Sequence, residues 1–168
     1  MTEYYTPEQI AYFFYEKNYT VPKLDETVTK LFKKECAFID KKYSKKEDMF
    51  LKETLKYYSY FTYKEEYEKQ VLTGKDLKDH LKIYEKFINN FSPNFFLITR
   101  LELIFGKEYK IIKLRTLLKK YGYKSRHHTI MLKFRDNINF YHLDTYKKGE
   151  KLDLFDFNLD ERITFRLK

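Results

Sequence analysis

The chain has 168 residues and a formal net charge of +9, long enough to bury a core without metals or disulfides. Its single cysteine, Cys36, excludes an internal disulfide. No apolar run approaches a membrane span, and the opening MTEYYTPEQ has neither a basic nor an apolar leader segment. A non-membrane protein in a reducing cytoplasm is expected, and the absence of GxxxxGK[ST], HExxH, CxxC and Gly-rich phosphate loops argues against an ordinary metabolic enzyme, a metal or a cofactor.

Thr6-Pro7-Glu8-Gln9 predicts a first helix, with Thr as cap, Pro at the first helical position and Ile10, Phe13 and Phe14 as its stripe. Asn18 to Pro22 reads as a turn. A second helix is expected from about Asp25 to Lys42, with Cys36 a small core residue on the stripe Val28, Leu31, Phe32, Cys36, Ile39. Ser44-Lys45-Lys46-Glu47 has capping-box spacing, so a third helix is expected from near Lys45 to as far as Gln70. Its block Tyr57 to Tyr63 suits core packing or an aromatic surface. Thr73-Gly74-Lys75-Asp76 opens a fourth helix with Leu77, Leu81, Tyr84 and Ile88. Ser92-Pro93 caps a fifth, apolar nearly all round from Phe95 to Phe105, and Gly106 stops it.

From Lys107 to Arg135 ten Lys or Arg stand against one acid, Glu108, so this stretch alone carries the chain's excess charge. All six arginines lie beyond residue 99, a distribution that fits a nucleic-acid face. Ile111, Leu114, Leu118 and Tyr121 have helical spacing, as do Ile130, Phe134 and Ile138. Between the runs, Gly122 suits a helix end and Ser125 the next cap, which together predict a helix-turn-helix. After it the period changes. Alternation from Phe140 to Tyr146, a turn at Lys147 to Glu150, the run Leu152 to Phe157, a turn at Asn158 to Glu161 and Ile163 to Leu167 predict two or three short antiparallel strands. The fold class is therefore mainly α, with a C-terminal helix-turn-helix and a β-hairpin or wing. The stripes at 28–39, 77–88, 95–105 and 111–121 are expected to share one core. The charge step near Phe91 divides residues 1–91, a helical region for dimerisation or partner docking, from the basic module 92–168.

Leu114 to Arg126, Leu143-Asp144-Thr145-Tyr146 and Asn158 to Leu167 give the C-terminal third a pattern that resembles winged helix-turn-helix modules of bacterial mobile-element and defence proteins. Lys147 stands where such modules usually have a Pro. The resemblance implies that His127 to Asn139 is a recognition helix and that the partner is duplex DNA. Lys119, Lys120, Lys147 and Lys148 would position the DNA backbone, and Lys124, Ser125, Arg126, His127, His128, Lys133 and Arg135 would line the helix or its entry. Arg126, expected to be exposed at the first turn, is the residue best suited to fork onto a guanine or a phosphate.

Two rivals follow from the same residues. A small basic helical protein can act as an inhibitor or adaptor that docks on a nucleoprotein such as a CRISPR effector. Arg135 and His142 also have the spacing of the Arg–His motif of HEPN-type ribonucleases, where Arg holds the scissile phosphate and His moves a proton. The adjacent pair His127-His128 points about 100° apart on a helix and cannot chelate one metal ion together.

Overall fold

The computed structural model describes residues 3–62 and 75–168, with the backbone alone for 75–81. They form two compact units, one within Tyr4–Asn94 and the other Phe95–Lys168 with Glu3. The expected single core is therefore corrected: stripes 28–39 and 77–88 belong to one unit, 95–105 and 111–121 to the other. The chain breaks helix between them at Ser92-Pro93, where proline lacks an N–H and disfavours a helical predecessor. The protein is mainly α. Among the described residues there are seven α-helices and one four-stranded antiparallel sheet.

In the unit Tyr4–Asn94, α1 (Pro7–Glu16) starts as the sequence predicts, Thr6 Oγ1 accepting from the Gln9 N–H at 3.4 Å. It buries Ile10, Phe13 and Phe14. Helix α2 (Val21–Lys34) begins earlier than expected, because Pro22 in the first turn starts a helix rather than a loop. It also ends earlier. Glu35 leaves helical geometry at φ −123°, and two 3-10 turns, Cys36–Phe38 and Lys41–Tyr43, replace the expected last turns. Cys36 is thereby turned out of the stripe and is exposed, not core. It lines an open groove of about 710 Å³ with Phe32, Lys33, Lys41 and Lys45.

Helix α3 (Glu47–Thr62) does not start at Lys45, which sits at φ +60°, outside the right-handed helical region. The aromatic block serves packing. Tyr57 and Phe61 lie 4.8 and 5.4 Å from Phe87 of α4 (Lys75–Asn90), and Tyr60 lies 5.8 Å from Tyr84. Tyr63, the extension to Gln70 and the cap at Thr73-Gly74 lie outside the described residues, as do the side chains of Leu77 and Leu81.

In the other unit, α5 (Phe95–Ile104) is followed by β1 (Lys110–Lys113), α6 (Leu114–Lys120), α7 (His128–Phe140), β2 (Leu143–Lys147), β3 (Glu150–Lys151) and β4 (Arg162–Leu167). The strand order is β1-β4-β2-β3. Strand β1 corrects the expectation of helix through Ile111: Lys110 to Lys113 pair antiparallel with Phe165 to Arg162. Two adjacent β-branched residues suit that pairing, which tertiary context selects over helical spacing. Strand β2 starts at Leu143, later than the predicted alternation, because α7 runs on to Phe140 and His142 at φ +49° turns the chain. Residues 152–157 hold a 3-10 turn, Leu154–Asp156, rather than a strand. Asp153 caps it, accepting from the Phe155 N–H at 2.9 Å.

Phe96, Phe134, Phe165 and Tyr121 cluster at the centre of this unit, with ring separations from 5.1 to 6.2 Å. Tyr121 Oη also accepts from the Phe95 N–H at 3.1 Å, satisfying a donor at the start of α5. Its burial pushes the phenol up to about 12.

Candidate nucleic-acid interface

Helix α6 leaves β1 directly, and its first turn is tied down from outside. Leu114 N–H donates to Glu161 O at 3.2 Å and Arg115 N–H to Leu159 O at 2.8 Å, taking up donors that a helix start leaves unpaired. Arg115 then grips Asp160 with both arms, at 2.8 and 3.0 Å. That hydrogen bonding raises the guanidinium pKa and lowers that of Asp160.

The exit of α6 is a Schellman motif: Gly122 N–H donates to Lys119 O and Tyr123 N–H to Leu118 O, both at 3.0 Å. Gly122 holds φ +80°, as its assignment to the turn requires. The next helix is capped by His127 rather than by Ser125. His127 is extended (φ −99°, ψ 140°), its carbonyl accepts the Met131 N–H at 3.1 Å, and Ser125 Oγ lies 2.9 Å from His127 Nε2. Ser125 thus orients the capping residue instead of being it.

Helix α7 buries Ile130, Met131, Phe134 and Ile138, leaving His128, Thr129, Lys133, Asp136 and Asn139 exposed. Asp136 places an acid on a face expected to be basic.

The proposed site residues separate into two groups. Three gather on the 3-10 turn. The Arg135 guanidinium lies 4.4 Å from the Phe155 ring centroid and 3.6 Å from Asp153, and the His128 ring is 5.5 Å from Phe155. Arg126 donates to Phe157 O at 2.8 Å and to Phe155 O. Arg126, expected to reach freely from the first helical turn, instead precedes the helix and clamps backbone carbonyls. Lys147 is also engaged, 2.5 Å from Glu161, and the contact lowers the Glu161 pKa. Elsewhere in the basic stretch, Lys107 and Lys110 meet the buried Glu102 at 3.4 and 2.8 Å.

The second group is Lys119, Lys120, Lys124 and Lys133. All four are exposed and make no ion pair among the described residues. They lie on α6, on the turn and on α7. Lys148 is exposed at the tip of the β2–β3 hairpin, a two-residue turn in which Lys148 and Gly149 both have positive φ, 51° and 90°.

Compared with protein-family models, curated proteins and solved structures, the chain matches none. Function must be argued from these side chains. A depression of about 260 Å³ beside Arg135 is lined by Asn139, Asp144, Thr145 and Asp153, and His142 is not among its lining residues. Among the described residues no group of three His, Cys, Asp or Glu has metal-site geometry, and no helix is long and apolar enough to cross a membrane. The partners missed from sequence, Asp153, Phe155, Asp160 and Glu161, left one signal: acids at two turns, Asp153 just before the first and Asp160 and Glu161 within the second.

Proposed function

We propose that residues 95–168 bind duplex DNA as a winged helix-turn-helix, with α7 in the major groove and the β2–β3 hairpin as the wing, in a regulator or accessory factor of a mobile element. The observation that carries this reading is the order and pairing of elements: helix, strand, helix, Gly turn, helix, then the β2–β3 hairpin and a last strand, β4, that lies between β1 and β2. Winged modules share that order, and they present the second helix of the pair to a groove. The sorting of cations supports it. Arginines near α7 brace the neighbouring loop, while Lys119, Lys120, Lys124 and Lys133 remain to meet phosphates.

Phosphate contact of this kind is salt-dependent, because each neutralised phosphate releases counterions. Titration of a fluorescent duplex at several salt concentrations tests it. The double variant Lys124→Ala, Lys133→Ala should bind more weakly and lower the magnitude of the salt slope by about 0.9 for each lost phosphate contact. An unchanged slope and affinity, with the same melting temperature, would remove α7 and its turn from the binding face.

A further inference from the structure

The sheet of the C-terminal unit has a second face. Ile163, Phe165, Leu143 and Thr145 point inward and are buried. The residues between them point outward, and the registers Ile111↔Thr164, Tyr146↔Thr164 and Lys113↔Arg162 set them in rows across the strands. Ile111 is 45% exposed, and Tyr109, just before β1, is 48% exposed. Apolar and aromatic surface therefore lies open along the outer side of the sheet.

Charge surrounds this surface. Lys113, Arg162 and Arg166 are exposed on the same face, and the Arg166 guanidinium sits 5.5 Å from the Tyr146 ring centroid. The acids nearby are already matched: Asp144 meets Lys151 at 2.9 Å, and Glu161 meets Lys147. Beside Ile111 and Thr164 opens a cavity of about 470 Å³, with Arg162 and Lys148 in its wall.

We propose that this outer sheet face binds single-stranded nucleic acid, with bases lying on Tyr109, Ile111 and Tyr146 and phosphates met by Lys113, Arg162 and Arg166. Stacking on exposed rings beside a basic track is the physical recipe for sequence-tolerant strand binding. A duplex hides the faces of its bases and has no use for Tyr109 or Ile111. A protein partner would match Ile111 but would have to bring acids opposite three cations. An unpaired strand supplies both the flat apolar surface and the negative charge. This site is on the other face of the sheet from the helices and does not depend on the duplex reading.

The test uses the full chain, a fluorescein-labelled oligothymidine and, separately, a duplex. Tyr109→Ala and Arg162→Gln should each weaken oligothymidine binding about tenfold, within the range expected for one lost stacking or phosphate contact. Both should leave duplex affinity unchanged, and Tyr109→Phe should bind like the parent chain. The parent's salt slope should be near −0.7 for each phosphate contacted. Arg162→Gln carries the test if Tyr109→Ala fails to fold. Absence of oligothymidine binding by the parent chain would overturn the proposal. So would unchanged affinity in Arg162→Gln, or an equal loss in the Lys124→Ala, Lys133→Ala variant. Capture of an acidic peptide in place of the oligonucleotide would assign the face to a protein partner and also overturn it.

Discussion

Arg126 bears most on how the basic stretch is understood at the level of single residues. Its two bonds to the carbonyls of Phe155 and Phe157 fasten the 3-10 turn against the start of α7. Bonds made by a charged donor are worth more than neutral ones, though exposure to water reduces their net value. Arg126→Ala should therefore lower unfolding free energy by about 1–2 kcal/mol in denaturant titration. Arg126→Lys should recover only part, since an ammonium cannot span two carbonyls as the planar fork does. A variant as stable as the parent would release Arg126 from this role and return it to the residues proposed to face DNA. Nothing in the sequence announces the clamp, because a carbonyl acceptor leaves no side-chain signature. Gly122 was legible for the opposite reason: a positive φ at a helix end narrows the choice of residue.

Among the elements, the loop from Asn158 to Glu161 does more than reverse the chain. Its carbonyls receive the first N–H groups of α6, Asp160 holds Arg115, and Glu161 holds Lys147. Hydrogen bonds from Arg115 and Lys147 set both carboxyls below the usual carboxylate range. A carboxyl with a lowered folded pKa adds stability above its unfolded value and loses it as pH falls through the folded value. The melting temperature should hold between about pH 7 and 5 and decline below about pH 4. The decline should be shallower for the double variant Asp160→Asn, Glu161→Gln. Equal steepness in the two proteins would mean these pairs do not couple to folding. The turns at Lys147 to Glu150 and Asn158 to Glu161 were readable from their composition, and so was the change of period after α7. Strand β1 was not, since Ile111 fits a helical stripe with Leu114 and Leu118 until β4 supplies a ladder. Cys36 failed similarly, on a stripe drawn through residues that two 3-10 turns take out of register.

Over the whole molecule, the helical character and the late sheet could be seen in advance, because periodicity is a local property. The division of the buried residues between two units could not, because a stripe shows that a face is apolar but not which other face covers it. The sheet order has a consequence for synthesis. Strand β4 lies between β1 and β2, so Lys113 has no ladder partner until Arg162 has been made, and Leu143 none until Leu167. On the ribosome, α6 and α7 emerge well before the strand that ties them together, a long-range closure of the kind that slows folding. A chain ending at Lys151 should then be cut rapidly by trypsin between Lys107 and Arg135, where the full chain resists; equal resistance would show that the helices hold without β4. The lysines proposed to meet phosphates would thus be fixed in place only after β4 had been made, so the helices that carry them wait on the strand that comes last in the sheet's assembly.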